Sequence, residues 1–283
     1  MKIKDNLRIT GEILRKSGTP DARLEAEVLL RHVLSIDRTK LFTDLENEIS
    51  NIEEVKIEEL IQRRLNHEPL SYITGHREFY GMDFYVSPDV LIPRPETELL
   101  VDNVIEISKM SKNPTIAVAD VGTGSGAIAI SIAYMLPLSK VIAIDISSEA
   151  LRIADKNRRN HGLSTRVSLK LGNLLDPIVG QLDCIVSNLP YLPTSWLSTL
   201  QAEIQREPMI ALDGGSDGLQ QIRKLLTQCK EKLKIGGTAL IEIDPSQADE
   251  ILLLVEAIIP NSICTIIKDL LGHDRVFKLV LTE

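Results

Sequence analysis

Asp120-Val121-Gly122-Thr123-Gly124-Ser125-Gly126 is the stretch whose reading decides the fold. An apolar run, residues 115–121, leads into it, and a second run, residues 126–135, leads out. The first is short and predicts a buried strand; the second carries a helix. Glycines between them let the backbone pass close to a ligand. The helix start beyond them offers free N–H groups. From residue 114 onward the same alternation continues. Strands are expected at 115–121, 140–145, 167–171, 182–187, 238–243, 263–268 and 275–282, and helices at 126–135, 148–160, 217–233 and 246–258. Strand–helix alternation predicts an α/β fold, a mostly parallel sheet covered by helices on both faces. Asp269 to Asp274 is too short a link for a crossover, so the last two strands are expected as an antiparallel hairpin at the sheet edge.

Upstream the pattern is different. Residues 1–70 read as a small helical domain. Leu24, Val28, Leu29, Val33 and Leu34 recur at helical spacing behind the start signal Thr19-Pro20-Asp21. Glu53 to Leu65 gives a second amphipathic helix through Val55, Ile57, Leu60, Ile61 and Leu65. Residues 71–95 carry Tyr72, Phe79, Tyr80, Phe84 and Tyr85, broken by Gly75 and Gly81, and predict a β-hairpin linker. Pro93-Arg94-Pro95 stops regular structure, and Glu96-Thr97-Glu98 opens the next helix. The expected organisation is therefore 1–70 helical, 71–95 linker and 96–283 catalytic domain.

The chain has 283 residues, 43% apolar and 25% charged, with a net charge of −8. That acidity argues against a protein that grips nucleic acid mainly through phosphates. The three cysteines, Cys184, Cys229 and Cys264, show neither zinc nor disulfide spacing. No apolar run reaches the roughly 20 residues of a membrane span, and Met1 to Asn6 lacks a signal-peptide core, so a cytoplasmic protein is expected.

Two cofactor classes share a strand–glycine-turn–helix unit. The spacing here is G-x-G-x-G, not the G-x-G-x-x-G of dinucleotide binders. Asp120 stands directly before the turn, where a carboxylate opposes a pyrophosphate but suits a cationic amino-acid tail. Asp145 ends the next strand, about 20 residues beyond Gly126, where a carboxylate can accept ribose hydroxyls. Its other reading is a helix N-cap before Ser147-Ser148-Glu149. Gly172-Asn173 follows the third strand, where a loop would meet an adenine ring. S-adenosylmethionine (SAM) fits this set best. Asp120, Gly122, Thr123, Gly124, Ser125, Gly126, Asp145, Asn173 and Asn188 are its candidate contacts, with no metal expected.

Asn188-Leu189-Pro190-Tyr191 follows the strand at 182–187. Loops at the carboxyl ends of such strands form the ligand crevice. An Asn side-chain oxygen and a backbone carbonyl can each accept one N–H of a planar amide or amine. Pro190 stiffens the loop, and Tyr191 offers a flat face. The bland alternative is a tight turn with an Asn cap. Together the glycine turn and this loop point to methyl transfer from SAM to nitrogen. None of His32, His67, His76, His161 and His273 adjoins the loop, so orientation rather than a strong general base is expected to carry the reaction.

The chain resembles the release-factor glutamine N5-methyltransferases, the HemK/PrmC family, over nearly its whole length. The most specific stretch is Leu91-Ile92-Pro93-Arg94-Pro95-Glu96-Thr97-Glu98, preceded by Tyr72 to Gly75 and Glu78-Phe79. Glu207-Pro208, Ala211-Leu212, Gly214-Gly215, Asp217 to Leu219 and Asp274 to Val276 continue it. The resemblance implies a helical N-terminal domain, a hairpin linker and a Rossmann-like SAM-dependent methyltransferase domain. It implies as substrate the glutamine in the Gly-Gly-Gln tip of class I peptide chain release factors, in a monomer with no direct nucleic-acid or membrane partner. It places Asn188, Leu189, Pro190 and Tyr191 at the glutamine-binding motif. Leu189 replaces the family's usual proline, and Ile243-Asp244-Pro245 lacks its usual glycine. A glutamine of a ribosomal protein, or adenine N6 in a nucleic acid, are alternative substrates. A non-catalytic SAM-binding module and a nicotinamide dehydrogenase are more distant alternatives.

Overall fold

The structure, a computed structural model, describes residues 1–111 and 115–282. Residue 114, where strand–helix alternation is expected to begin, lies outside the described residues. The chain divides into two compact units, Met1–Gly75 with Ala202–Arg206, and His76–Gln201 with Glu207–Glu283.

The first unit holds α1 (Ile3–Lys16), α2 (Ala22–Leu34), α3 (Arg38–Thr43), α4 (Asn51–Leu65) and α5 (Leu70–Thr74). Its core gathers Leu14, Leu29, Leu30, Leu41, Ile57 and Ile61. The apolar stripe of α2 differs from the expected one. Ala22, Ala26, Leu29 and Leu30 are buried, whereas Leu24 is 54% exposed. The small alanines let α2 pack closely, which rotates Leu24 outward. Val55 of α4 is likewise exposed, and Ile57, Ile61 and Arg64 form the inward face. α4 starts at Ser50 through a reciprocal capping box with Glu53. Buried Arg64 is compensated by two carboxylates, Glu25 at 2.5 Å and Glu203 at 2.6 Å.

The second unit opens with the hairpin β1 (His76–Phe79) and β2 (Met82–Tyr85), followed by α6 (Glu98–Met110). The hairpin is an integral part of this unit, because Phe79 and Phe84 are fully buried in one core cluster with Leu100, Val101 and Ile128. Then come β3 (Ala117–Val121), α7 (Ala127–Met135), β4 (Lys140–Asp145), α8 (Ser148–Asn160), β5 (Val167–Leu171) and β6 (Leu182–Ser187). The remainder is α9 (Gln220–Lys232), β7 (Leu233–Glu242), α10 (Ala248–Ile258), β8 (Ser262–Lys268) and β9 (Asp274–Leu281).

These seven strands form one sheet in the order β5-β4-β3-β6-β7-β9-β8. β5, β4, β3, β6 and β7 run parallel; β9 lies antiparallel between β7 and β8. This is the expected mostly parallel, Rossmann-like sheet with an antiparallel hairpin at its edge. Two apolar clusters cover its faces, one around Leu225, Ile251 and Phe277, the other around Leu100, Ile130 and Phe84. β7 starts earlier than the expected residue 238. Gly236, at φ +77°, and Gly237 make a bulge within the strand instead of a loop before it.

Register decides where the site lies. Val121 pairs with Ile144 on one side and Ser187 on the other, and Ser187 pairs with Ile241. The carboxyl ends of β3, β4, β6 and β7 are therefore level. The glycine turn, Asp145, the loop from Asn188 and Glu242 all emerge at one edge of the sheet.

Candidate active site

A cavity of about 180 Å³ opens at this edge. Gly122, Thr123, Gly124, Ser125, Asp145, Asn173, Asn188, Leu189 and Pro190 all line it, so elements far apart in sequence meet on one wall. Thr97, Val90 and Pro93 add to the lining from the segment before α6, and Ile210 and Gln221 contribute from further along.

The glycine turn is held from below. The Gly122 and Thr123 N–H groups both donate to the Ile144 carbonyl at 2.9 Å, and the Gly124 N–H donates to Asp145 Oδ2 at 2.9 Å. Gly122, Gly124 and Gly126 all have positive φ, which disfavours any side chain. A Cβ at Gly124 would meet open space, so that bend faces room for a ligand; one at Gly126 would lie 2.9 Å from Ile130 Cδ1. Gly126 therefore serves packing, and it does not line the cavity.

Asp145 accepts from the Ser147 N–H through Oδ1 as well as from Gly124 through Oδ2. Ser147, not Asp145, is the N-cap of α8, accepting from the Ala150 N–H at 3.1 Å. Burial raises the Asp145 pKa, and backbone N–H groups oppose that rise. A carboxylate oxygen has more than one acceptor position, so Asp145 can hold the turn and still accept hydroxyls.

Asp120 sits beneath the turn, fully buried and off the cavity wall. Its Oδ2 accepts from the Thr123 hydroxyl at 2.6 Å and the Ala129 N–H at 3.1 Å. Its Oδ1 is buried without a hydrogen-bond partner among the described residues. Burial lifts its pKa to about 7, against these hydrogen bonds and with some repulsion from Asp145. An orphaned buried carboxylate oxygen is costly unless something cationic or hydrogen-bonding completes it.

Asn188 is oriented by Thr97, whose Oγ1 accepts from Asn188 Nδ2 at 3.0 Å. With the NH₂ group turned to Thr97, the Asn188 Oδ1 is left as the acceptor available to a ligand. Leu189 is buried and packs on the glycine turn; a Cβ at Gly122 would lie 3.1 Å from Leu189 Cδ2. The rest of the loop is fixed from behind. The Leu192 N–H donates to the Leu212 carbonyl, the Gly214 N–H to the Leu192 carbonyl, and Gln247 Nε2 to the Tyr191 carbonyl. Gly214 and Gly218 form a ledge beneath it, because a Cβ there would lie 2.8 Å from the Pro190 carbonyl oxygen and 2.3 Å from that of Tyr191.

Tyr191 departs from its expected place. Its ring does not line the cavity; its hydroxyl reaches back to Glu242 Oε1 at 3.4 Å. Burial, reinforced by Glu242, pushes its phenol above the ordinary range. Sequence reasoning assigned no part to Glu242 or, individually, to Thr97. The signal was a lone carboxylate closing an apolar strand, Leu240-Ile241-Glu242, the same pattern that marks Asp120 and Asp145.

Residues 6–75 match the PrmC N-terminal domain, and residues 112–250 match a methyltransferase domain. The release factor glutamine methyltransferase of Moorella thermoacetica is 42% identical over 94% of this chain and 95% of its own. That of Koribacter versatilis is 45% identical over 84% of this chain and 85% of its own. A methyltransferase from Pyrococcus furiosus, 19% identical, superposes with a TM-score of 0.51 over 71% of this chain and 89% of its own, a likeness of fold. With identity this high across nearly the full length of such relatives, the chain belongs to the release factor glutamine methyltransferase family.

Proposed function

We propose that this protein methylates the side-chain amide nitrogen of a glutamine in class I peptide chain release factors, the glutamine of the Gly-Gly-Gln tip, with SAM as co-substrate. The observation that carries this reading is the Asn188 amide, locked by Thr97 so that an oxygen acceptor remains at the cavity beside the glycine turn. The residues present fit SAM. The orphaned Asp120 Oδ1 suits the neighbourhood of an ammonium group, Asp145 suits ribose hydroxyls, Asn173 suits an adenine edge, and the open side of Gly124 gives room. When bound, SAM supplies an electrophilic methyl group on a sulfonium.

The chain's own residues supply orientation. Asn188 Oδ1 and the Leu189 carbonyl each accept one N–H of the glutamine carboxamide. Both N–H bonds are then fixed in plane, and the face of the nitrogen is presented in one direction. A carboxamide nitrogen is a weak nucleophile, and positive charge grows on it as it takes the methyl group, the sulfur keeping the electron pair of the broken bond; the extra N–H proton is lost to solvent afterwards. The same two oxygens bind that charged form more tightly than the neutral amide, which lowers the barrier. Among the described residues, no histidine or cysteine lines the cavity.

Residues 1–70 are read as the part that recognises the body of the protein substrate and 96–283 as the catalytic domain, with the hairpin of the expected linker 71–95 packed into the catalytic unit's core. The net charge of −8 favours a protein over a nucleic-acid substrate. No helix among the described residues is long and apolar enough to cross a membrane. We read the protein as a cytoplasmic monomer. The deciding experiment incubates purified protein with labelled SAM and a purified release factor. Label is expected on the factor and absent from a variant whose tip glutamine is alanine. Equal labelling of both would overturn the assignment.

A further inference from the structure

The segment that carries Thr97 is clasped by a residue remote in sequence. Glu207 is 5% exposed, and its carboxylate takes two donors. Oε2 accepts from the Ile92 N–H at 3.0 Å, and Oε1 accepts from Arg94 Nη2 in an ion pair. Ile92 and Arg94 bracket Pro93, which lines the cavity, and Glu207 is one peptide bond from Pro208, which also lines it. Glu207, Ile92 and Arg94 themselves stay off the cavity wall. All of these residues belong to the second unit.

The clasp matters because this segment has little else to hold it. It lies outside every strand, and Pro93 and Pro95 have no N–H to donate. Arg77 adds one hold, its Nε donating to the Pro93 carbonyl at 3.1 Å. A carboxylate can take both of its donors at once, and the charged pair is stronger than a neutral hydrogen bond. From Arg94 a polar path leads to the reacting loop. The Arg94 carbonyl accepts from the Thr97 N–H at 3.1 Å, and Thr97 Oγ1 accepts from Asn188 Nδ2 at 3.0 Å. A shift of Arg94 would carry the turn to Thr97 with it. The oxygen that holds the Asn188 NH₂ would move too.

We propose that Glu207 is a positioning residue: by clasping Ile92 and Arg94 it sets the place of Thr97, and so the direction in which Asn188 Oδ1 meets the substrate amide. The inference rests on the reading of Asn188 as the amide-binding residue. The clasp controls placement. Among the described residues, none of its hydrogen bonds reaches the glycine turn or Asp145, so it bears on turnover and leaves cofactor binding alone.

The test measures Glu207→Gln and Arg94→Met, each alone and combined with Asn188→Ala. Glutamine keeps the shape but has one acceptor oxygen instead of two, so its NH₂ must face either the Ile92 N–H or Arg94. Turnover on the release factor at saturating SAM should fall roughly 10- to 100-fold, with calorimetric SAM affinity within about twofold of wild type. Arg94→Met removes the partly exposed half of the pair and should act in the same direction; it decides if Glu207→Gln does not fold. A merely structural clasp would lower thermal stability without this split. Added to Asn188→Ala, either substitution should lower turnover no further, because the group being positioned is already gone. A last readout needs no substrate. The Asn188 side-chain amide signals in a ¹⁵N NMR spectrum, assigned by their loss in Asn188→Ala, should move in Glu207→Gln and in Arg94→Met. Unchanged turnover in the folded variants, additive losses in the combined ones, or unmoved amide signals would overturn the proposal. Amide signals that move as described, in a protein whose wild type transfers no methyl group to the release factor, would leave the clasp standing and sink the substrate assignment instead.

Discussion

Asp120→Asn isolates the buried carboxylate beneath the glycine turn. In the folded protein burial raises its pKa from 3.8 to about 7. A raised folded pKa means that the native state holds the proton more tightly than the unfolded chain. The associated stability is fully present below pH 3.8 and is lost as pH rises toward about 7. A shift of about three units corresponds to at most about 4 kcal/mol at pH 8. Asparagine removes that charge. Its oxygen can take the place of Oδ2, accepting from Thr123 and Ala129, which puts its NH₂ at the orphaned position. An unsatisfied buried donor costs about 1–3 kcal/mol. The ligand-free variant should therefore gain about 1–3 kcal/mol over wild type at pH 8 and lose that advantage near pH 5, a rise of several degrees in Tm at the higher pH. SAM affinity should move the opposite way, falling roughly tenfold or more, because the ionised oxygen is what suits an ammonium group. Thermal unfolding at both pH values, with calorimetric titration of SAM at pH 8, measures both effects. A stability difference that does not grow with pH, or an unchanged SAM affinity, would refute the reasoning.

Asp145→Ala should weaken SAM binding by about 1.5–3 kcal/mol in calorimetry; part of the loss comes from freeing the Gly124 N–H, and unchanged affinity would exclude its role. Asn188→Ala should lower turnover by roughly two orders of magnitude or more at saturating SAM, whereas Leu189→Pro should keep activity because the backbone carbonyl remains. Gly218→Ala should cut turnover more than SAM affinity, since its Cβ would press on the Tyr191 carbonyl oxygen at 2.3 Å; steady-state kinetics beside calorimetry separate the two. A chain starting at His76 should bind SAM but methylate the release factor poorly, and equal activity of the short and full chains would remove the substrate-recognition role from the helical residues.

Sequence legibility followed locality. The glycine turn and the loop from Asn188 are contiguous, and each follows a short apolar run, so periodicity alone placed both at strand ends. Residue 145 was found the same way. Thr97 meets Asn188, and Glu242 meets Tyr191, across long stretches of sequence, the second pair because β6 lies beside β7, a fact of register rather than of motif. The orientation of Tyr191 was hidden for a similar reason. A tyrosine after a proline suggests a stacking face, but its hydroxyl is drawn back by a carboxylate on another strand. Leu24 stands two positions from both Ala22 and Ala26, so a helix that buries the two alanines on one face turns the leucine to the other.

The ledge made by Gly214 and Gly218 bears on how such a loop can change in descent. A proline stiffens a segment largely by restricting the unfolded chain. Here the path of Pro190 to Leu192 is held from outside, by two residues that have no side chain and by the Gln247 amide. The stiffness belongs to the neighbours of the loop rather than to the loop itself. Position 189 is thereby free to exchange proline for leucine without the backbone leaving its course. Substitutions within the loop alter which groups are presented, and substitutions on the ledge alter where they are presented. Chemistry and placement thus rest on separate residues and can drift independently.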